Sequence, residues 1–471
     1  MGRLVLEFMV RTTILSLLAS PGDGRSVTAM GWIRTKRESK NVIFFEINDG
    51  SCLDNLQVVA KRGDSAIDGE QNQHLLTGAS VAVEGRILPS EGREQGIELI
   101  AERIDLIGRV APDYPLQKKR HSFEFLRDNA HLRPRTNTFG AIARVRNALA
   151  AAIHDFFQKR GFLWVHTPII TGSDAEGAGN LFQVSTLNHS SPPRDGVGNI
   201  DYRQDFFGRK TYLTVSGQLQ LENFACSMTR AYTFGPTFRA ENSNTARHLS
   251  EFWMIEPEMA FCELEENREL AESLIKELLR RALERCPDEM SLFDRWISKG
   301  TIESLKQVIE KPFVHLTYSE AIRELEKAPI DWECSPGWGL DLQAEHERYL
   351  CEKLVEGPLT LTDYPKDIKA FYMKQNDDGE TVRAMDVLVP RLGEIIGGSQ
   401  REDNFAKLRY RMEEMKMDMD EYSWYLDLRS YGSVPHSGFG LGFERLVQYV
   451  TGMQNIRDVI PFPRTPKSIA F

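Results

Sequence analysis

A chain of 471 residues is too long for one ordinary hydrophobic core, so two or more domains are expected. Hydrophobic residues make up 41% and charged residues 27%, and no run of about 18 apolar residues occurs, which excludes a largely disordered chain and a membrane protein. The net charge of −10 does not by itself suggest a nucleic-acid-binding protein.

The N-terminus and the cysteines bear on location. The mildly apolar stretches Leu4–Phe8 and Ile14–Ala19 are interrupted by Glu7 and Arg11, so they predict the start of a helix or strand rather than a signal peptide. Six cysteines are scattered without a CxxC pair, which favours reduced thiols over a disulfide scaffold or a structural zinc site. We therefore expect a cytoplasmic protein with no membrane segment.

Residues 26–112 predict a small β-barrel. Gly, Asp and Ser turns separate five alternating or β-branched runs: Val27–Arg34, Val42–Asn48, Leu56–Ala60, Ser80–Leu88 and Ile97–Ile107. Five such strands suggest an oligonucleotide-binding barrel, a fold that binds single-stranded bases by stacking them on aromatic side chains. Phe44 and Phe45 are adjacent, so one should face the core and the other should face outward near Arg34. Ordinary packing is nevertheless the commoner reason for a single phenylalanine.

A basic segment follows the barrel. After Pro112 and Pro115, the stretch from Gln117 to Arg135 holds six Lys or Arg residues against two acids. A basic strip in an acidic protein fits a partner whose phosphates touch that strip only, and it fits a solvated linker equally well.

The remainder of the chain predicts an α+β domain, because its strands pair as hairpins rather than as repeated strand–helix units. Its predicted helices are Thr138–Arg160, Cys262–Arg285 and Glu444–Val450, the last ending at Gly452, with an unassigned and mostly helical stretch at 286–355. Its predicted strands are Phe162–Ile170 (interrupted by Pro168), Tyr212–Val215, Tyr232–Arg239, Leu249–Met259, 358–362, 369–374, 383–388 and Gly438–Phe443.

Three segments of this domain carry chemistry. The first is the run Gly161–Pro168. The second is the hairpin from Phe238 to Phe252, where two arginines, a histidine and an aromatic surround a polar loop and could bind an anion and a flat ring. The third is Gly438–Leu446, where glycine at every second position leaves one strand face bare for a flat ligand or for close packing.

In order and type these segments resemble the three signature motifs of class II aminoacyl-tRNA synthetases. The resemblance covers almost the whole chain and includes the N-terminal barrel, which is the arrangement of the aspartate/asparagine/lysine subgroup. It implies an oligonucleotide-binding anticodon domain at 1–112, a basic hinge at 113–136 and a catalytic domain at 137–471. That catalytic domain is expected to be an antiparallel sheet flanked by helices, with a mostly helical insertion around 263–356.

One segment indicates the amino acid. Aspartate-specific members carry a run like Q-S-P-Q-x-x-K-Q, whose lysine reads the substrate carboxylate, whereas Val215–Glu222 here places Leu221 at the lysine position and Glu222 after it. A glutamate can accept hydrogen bonds from an amide but repels a second carboxylate, so Asp and Asn would be separated by charge. The segment, together with the runs His131–Asn137 and Ser433–Gly440, resembles asparaginyl-tRNA synthetases.

That family resemblance implies a reaction. The enzyme would activate L-asparagine with ATP to asparaginyl-adenylate and pyrophosphate, and then transfer asparagine to the 3′-terminal adenosine of tRNA(Asn). For the substrate it implies Glu176 on the α-ammonium group with Gln218 beside it, Glu222 on the amide, and Arg401 on the side-chain carbonyl.

For ATP, the resemblance implies Arg239 on the α-phosphate, Phe252 and Glu241 on the adenine, and Arg247, His248 and Arg445 on the β,γ end. Glu394 would hold Mg²⁺, a cation that prefers hard oxygen ligands. Asp386 would be a second ligand, although its spacing to Glu394 is one residue longer than in the aspartate enzymes. Arg239, Arg445 and Glu394 are therefore the expected catalytic residues.

Anticodon contacts are expected at Phe44, Arg34 and Gln57, because the spacing from Phe44 to Asp49 resembles that of the family. The helix Thr138–Arg160 and the strand after it would form a homodimer interface, although periodicity alone would assign this helix to the core.

The alternatives are a non-discriminating or aspartate-specific ligase, an amide-forming asparagine synthetase and a catalytically inactive paralogue. Leu221 and Glu222 argue against the first of these. The presence of the barrel argues against the second, and the intact motif arginines Arg239 and Arg445 argue against the third.

Overall fold

The computed structural model describes residues 12–62, 72–90, 96–173, 181–243 and 245–471. The chain divides into two compact units, Met1–Ala141 and Ile142–Phe471. The domain boundaries expected at 112 and 136 stay predictions. Among the described residues, no helix combines the length and the apolar character that crossing a bilayer requires.

The first unit contains the predicted five-stranded closed barrel. Its strands are β1 (Ser26–Glu38), β2 (Val42–Asn48), β3 (Leu56–Lys61), β4 (Ser80–Pro89) and β5 (Ile97–Gly108). They pair in the order β1-β2-β3-β5-β4, antiparallel except for β3 with β5. Alternate residues of each strand fill the barrel, and helix α1 (Ile14–Leu18) adds the buried Ile14 and Leu17 to this core.

The two adjacent phenylalanines of β2 face opposite sides, as the alternation predicts. Phe45 is buried in the barrel core, whereas Phe44 is only partly buried on the outer face. Phe44 pairs with Arg37 on β1 and with Val59 on β3, so these side chains share its face of the sheet. The register therefore leaves one aromatic ring on the outside of the barrel.

The first unit ends with the basic segment and the start of a long helix. Helix α2 (Phe123–Asp128) begins at Ser122, whose hydroxyl accepts from the backbone N–H of Phe125 at 3.2 Å. Arg133 is buried and its guanidinium lies 4.3 Å from the centroid of the Phe139 ring, so this member of the basic segment is part of the packing.

An eight-stranded sheet forms the second unit, in the order β12-β13-β14-β15-β16-β11-β10-β6. These strands are β6 (Leu163–Trp164), β10 (Arg230–Phe238), β11 (Glu251–Ala260), β12 (Val314–Thr317), β13 (Leu359–Pro365), β14 (Thr381–Val389), β15 (Gly393–Gln400) and β16 (His436–Gly442). A second sheet has the order β7-β9-β8, with strands β7 (Ile170–Thr171), β8 (Gln183–Val184) and β9 (Thr211–Leu213). The large sheet is antiparallel as predicted except at its ends, where β6 runs parallel to β10 and β12 runs parallel to β13.

Helices flank this sheet. They are α3 (Asn137–Gln158), α4 (Gln218–Met228), α5 (Leu264–Arg285), α6 (Pro287–Trp296), α7 (Thr301–Glu310), α8 (Tyr318–Lys327), α9 (Ala344–Tyr349), α10 (Phe405–Glu414), α11 (Ser423–Ser430) and α12 (Phe443–Thr451). The insertion is mostly helical, as expected, but it also supplies strand β12. The parallel pairing of β12 with β13 has a physical reason, because helices α8 and α9 provide the crossover that parallel neighbours need.

Not every strand was predicted correctly. The strand predicted at 369–374 is absent: Phe371 and Tyr372 lie in a turn, and Met373 forms only an isolated bridge, to Arg401. Strand β15 was not predicted, because its three glycines lower strand propensity and it is stabilised by pairing with β14 and β16 on either side. The run Phe162–Ile170 is interrupted, as predicted from Pro168: it forms the edge strand β6, and Ile170 begins β7 after the proline.

Candidate functional site

A cavity of about 240 Å³ opens over the middle of the large sheet. Five predicted site residues line it: Gln218, Arg239, Asp386, Glu394 and Arg401. They belong to or directly follow four different elements: Gln218 begins α4, Arg239 follows β10, Asp386 lies in β14, and β15 carries Glu394 and is followed by Arg401. The fold thus brings together side chains that are far apart in the sequence.

Glycines form the floor of this cavity. Gly397 and Gly398 of β15 and Gly440 of β16 all line it. A Cβ atom on Gly440 would lie 2.6 Å from the Met254 Cε atom, so any larger residue would fill the space above the strand. Gly438 serves packing instead, because a Cβ atom there would lie 2.2 Å from Glu258 Oε1. The strand face without side chains that was predicted for this motif is therefore present at Gly440, in the middle of the motif.

Arg401 is held at one end of the cavity by a buried ion pair. Its Nε donates to Glu258 Oε2 at 3.2 Å, its Nη2 donates to Glu258 Oε1, and its Nη1 donates to Ser399 Oγ at 2.6 Å. Only 2% of the Arg401 side chain is exposed, and Glu258 is fully buried. A guanidinium has five N–H groups, so two remain, one on Nη1 and one on Nη2. Arg401 can thus present a fixed pair of donors to a ligand.

Glu222 lies behind this pair in a closed network and does not line the cavity. Its Oε1 accepts from Gln218 Nε2 at 3.1 Å and from the Tyr425 hydroxyl at 2.9 Å. Its Oε2 accepts from Arg429 Nη2 at 2.9 Å and lies 3.0 Å from His436 Nε2. The direct contact expected between Glu222 and a substrate amide would require Gln218, which separates the carboxylate from the cavity, to move aside. That contact stays a prediction.

The two buried carboxylates have opposite titration behaviour. Burial raises the pKa of Glu222, but Arg429, His436 and Arg401 outweigh burial and hold that pKa well below its ordinary value. Burial, together with the negative charge of Glu222, raises the pKa of Glu258 to about 7, although the charge of Arg401 lowers it. Glu222 therefore carries a permanent negative charge near neutral pH.

At the other end of the cavity, Arg239 follows strand β10 and faces Phe252 on β11. The two strands form the predicted hairpin, with Phe238 paired to Glu251. The Arg239 guanidinium carbon lies 5.6 Å from the centroid of the Phe252 ring. A planar cation and an aromatic face are therefore adjacent, which suits a ligand that combines a phosphate with a nucleobase.

The loop between these strands carries Glu241, Arg247 and His248. Glu241 Oε2 lies 3.8 Å from His248 Nε2, and both side chains are part-exposed. Arg247 is partly buried, whereas His248 is exposed. None of these three predicted residues is among the described residues that line this cavity. Burial lowers the pKa of Arg247, and the charge of Arg445 contributes to that lowering.

Asp386 and Glu394 face the same floor glycine. A Cβ atom on Gly397 would lie 3.3 Å from Glu394 Oε1 and 3.4 Å from Asp386 Oδ1. Each carboxylate has a cationic partner: Lys369 Nζ lies 2.9 Å from Asp386 Oδ2, and Arg445 Nη1 lies 3.4 Å from Glu394 Oε2. Among the described ranges no group of three metal-ligating side chains converges. Two carboxylates are nevertheless enough for Mg²⁺ when substrate phosphates supply further oxygens.

Glu444, the neighbour of Arg445 on helix α12, joins three elements. Its Oε1 accepts from Arg146 Nη2 of α3 at 2.9 Å, and its Oε2 accepts from the backbone N–H of Trp253 on β11 at 2.8 Å. The Glu444 side chain is almost fully buried. Helix α12 is therefore fixed in place directly beside the predicted phosphate-binding arginine.

Sequence reasoning missed several residues of this region. Glu258, Lys369, Tyr425 and Arg429 all contact predicted site residues across long sequence separations. The only available signal was the spacing of Tyr425 and Arg429, which puts them on one face of a helix. Glu176 lies outside the described residues.

The predicted anticodon residues lie within the first unit. Gln57 and Phe44 share the outer face of the barrel, since Gln57 pairs with Glu46, two residues along β2 from Phe44. Gln57 Nε2 donates to Glu98 Oε2 at 3.2 Å. Arg34 lies at an irregularity in β1, and its Nη2 donates to Asn137 Oδ1 at 2.6 Å.

Comparisons with known proteins agree with this geometry. Residues 122–466 match the family described as tRNA synthetases class II (D, K and N), and residues 27–107 match the OB-fold nucleic acid binding domain. The chain is 57% identical to an asparagine–tRNA ligase of Synechocystis sp., over 98% of this chain and 100% of that protein. It is 56% identical to a chloroplastic/mitochondrial asparagine–tRNA ligase of Arabidopsis thaliana, over 95% of this chain and 81% of that protein.

A solved structure shows the same architecture. The asparaginyl-tRNA synthetase of Pyrococcus horikoshii, crystallised with asparaginyl-adenylate, superposes with a TM-score of 0.85 at 36% identity and covers 98% of this chain and 99% of its own. Both domains, the motif order and the near-complete coverage thus point the same way. The chain belongs to the class II tRNA synthetases of the aspartate, lysine and asparagine group, and within them to the asparagine–tRNA ligase family.

Proposed function

We propose that this chain activates L-asparagine with ATP and transfers it to the 3′-terminal adenosine of tRNA(Asn). The observation that carries the proposal is the buried charge network at one end of the cavity. Arg401 presents two N–H donors there, and the ionised Glu222 lies behind it with Leu221 in place of a lysine. The network suits a neutral side-chain amide, which offers a carbonyl to Arg401 without adding a charge.

Aspartate would be disfavoured by charge at the same place. It is nearly the same size as asparagine, but its carboxylate would add a negative charge near the ionised Glu222. Two like charges about 6 Å apart repel by about 3 kcal/mol at an effective dielectric constant of about 20. Arg401 and Arg429 are each already paired with a resident carboxylate, so neither is an unpaired counter-charge for the added one. Leu221 is buried and supplies no cation.

The first chemical step joins the substrate carboxylate to the α-phosphorus of ATP and releases pyrophosphate. No protein nucleophile is needed, so the protein must align the two reactants and stabilise the charge that develops on phosphorus. Arg239 is the residue proposed for this role, and its support is that it lines the cavity and lies beside Phe252. Phe252 would stack the adenine, and Glu241 would accept from its amino group.

The β- and γ-phosphates would lie toward Arg247, His248 and Arg445. In the next step the 3′-terminal ribose hydroxyl of the tRNA attacks the activated carbonyl and displaces AMP. The substrate α-ammonium group would be received by Gln218 and Glu176.

Mg²⁺ is part of the proposal, with Glu394 and Asp386 as the residues that would hold it. Their oxygens are hard ligands that face one glycine, and both are partly exposed to the cavity. When bound, the cation would neutralise charge on the ATP phosphates. Burial, together with the charge of Glu394, raises the pKa of the neighbouring Glu347 to about 7.

We propose further that the barrel reads the anticodon through Phe44, Gln57 and Arg34. Phe44 offers a ring on the outer face, and base stacking needs no sequence-specific contact. Arg34 donates to Asn137 and Gln57 donates to Glu98, and both side chains belong to types with several N–H donors that suit a nucleotide.

A homodimer through α3 and the adjoining strand is also proposed. Strand β6 lies at the edge of the large sheet, and its Leu163 and Trp164 are 49% and 53% exposed. Two apolar side chains on an open edge are suited to a second copy of the chain.

A cytoplasmic location completes the proposal, and the six free cysteines are compatible with it.

The deciding experiment is amino-acid-dependent ATP–pyrophosphate exchange with the purified chain. We expect exchange with asparagine and, at equal concentration, at least about a hundredfold less with aspartate, which is the ratio that about 3 kcal/mol of repulsion gives. Exchange with aspartate alone would overturn the specificity, and exchange with no amino acid would overturn the activity.

A further inference from the structure

A second cavity, of about 290 Å³, lies beyond the proposed phosphate end of the active site. Three arginines line it: Arg247 from the hairpin loop, Arg348 from helix α9, and Arg391 from the turn before β15. Gln448 and Tyr449 of helix α12 complete one wall. Of these residues, only Arg247 belongs to the predicted ATP site.

The charge of this cavity is not neutralised from within. No carboxylate is found among the described residues that line it. In the described parts of the chain, neither Arg247 nor Arg348 forms a salt bridge. The Arg391 guanidinium donates to the neutral hydroxyls of Thr301, at 3.1 Å, and Ser298, and it is the backbone N–H of Arg391 that donates to Glu352 Oε1, at 2.8 Å. Such a cluster of guanidinium groups is stabilised when an anion enters.

The arginines are close enough to affect one another. Burial lowers the pKa of Arg247, and the charges of Arg348 and Arg445 lower it further, against an opposing effect of Glu347. Arg445, Gln448 and Tyr449 are spaced at i, i+3 and i+4 on α12, so they lie on one side of that helix. The cavity therefore continues from the side of Arg445 on which the terminal phosphates are proposed to bind.

We propose that this cavity is a subsite for inorganic pyrophosphate, which receives the leaving group after adenylate formation. The proposal rests on the proposed function, because only adenylate formation supplies pyrophosphate at this place. Bidentate contacts from two guanidinium groups match the oxygens of a diphosphate. Arg348 belongs to the helical insertion, to which no role had been assigned, so this part of the chain would contribute to product handling.

The test uses Arg348→Ala in the full-length chain. Arg348 is exposed on its helix, so its loss should leave the fold intact, and an unchanged thermal midpoint checks this. Arg348→Lys keeps the charge without the forked donors. Arg323→Ala is the matched control, since Arg323 is exposed on helix α8 of the same insertion and donates to the Ser319 carbonyl. The KM for pyrophosphate is measured in asparagine-dependent exchange, and the KM for ATP in adenylate formation.

We expect Arg348→Ala to raise the KM for pyrophosphate about tenfold, which is the loss of one charge-assisted hydrogen bond, and to change the KM for ATP by less than about twofold. Arg348→Lys should fall between this variant and the wild type, and Arg323→Ala should match the wild type. An unchanged KM for pyrophosphate would overturn the inference. So would an equal rise in both constants, because Arg348 would then belong to the ATP site. If the wild type shows no asparagine-dependent exchange, the proposed function itself fails, which is a different result.

Discussion

Replacing Glu222 by glutamine tests whether the buried network sets both stability and specificity. The substitution keeps the size of the side chain but removes the charge that balances Arg429. Glu222 accepts hydrogen bonds at both oxygens, and the amide NH2 of glutamine would face donors at one of the two positions. The result is a buried guanidinium with no counter-charge.

The size of the effect follows from this burial. Removing one partner of a buried ion pair destabilises a protein by about 3–5 kcal/mol, whereas loss of an exposed pair costs under about 1 kcal/mol. Glu421→Gln is a matched control, since Glu421 forms an exposed salt bridge with Arg209 at 3.3 Å. The unfolding of the catalytic unit in urea, followed at pH 7 for both variants and the wild type, measures the difference.

The pH dependence of this effect has a definite sign. The pKa of Glu222 is lowered in the folded protein, so its stabilising contribution is fully present above the pKa of an unfolded glutamate and is lost as the pH falls toward the folded value. The stability gap between wild type and Glu222→Gln should therefore be constant near neutral pH and close only in acid.

The same variant should lose selectivity. Removal of the negative charge relieves the repulsion of aspartate, so the ratio of kcat/KM for asparagine to that for aspartate should fall by about a hundredfold in ATP–pyrophosphate exchange. A variant with wild-type stability would refute the assigned ion pair. A destabilised variant with unchanged selectivity would show that Glu222 has no part in the choice of substrate.

Three further variants probe the other proposed roles. Arg239→Ala should slow adenylate formation by about 10²–10³ in single-turnover experiments, and near-normal formation would exclude the α-phosphate role. Phe44→Ala should lower kcat/KM for tRNA at least about fivefold by loss of one stacked base, with asparagine-dependent exchange unchanged. If aminoacylation is also unchanged, Phe44 does not read the anticodon. Trp164→Arg should shift the chain from dimer to monomer in analytical ultracentrifugation, and an unchanged sedimentation coefficient would speak against the β6 interface.

Local patterns were sufficient for most of the fold. The alternation of β1 to β5 predicted each strand of the barrel, and the hairpin of β10 and β11 followed from two apolar runs around a polar loop. Strand β15 could not be found this way, because neighbouring strands rather than its own residues hold its glycines extended. The strand predicted at 369–374 fails for the opposite reason. Its apolar residues suit a strand, but they pack against helices instead of in a sheet.

The candidate site was predictable only in part. The resemblance identified residues such as Arg239, Arg401 and Glu394, which the fold does bring to one cavity. It gave no information on burial, so Glu222 was expected in the open pocket rather than behind Gln218. The partner of Glu222, Arg429, lies 207 residues along the chain, and no local pattern reports such a contact.

The position of Glu444 beside Arg445 has a consequence for variation among relatives. Glu444 faces inward and joins α3, β11 and α12, whereas Arg445 faces the proposed nucleotide. A change at Arg146 would therefore affect a phosphate-binding group, Arg445, through Glu444. Among homologues of this chain, we expect substitutions at positions 146 and 444 to occur together rather than singly.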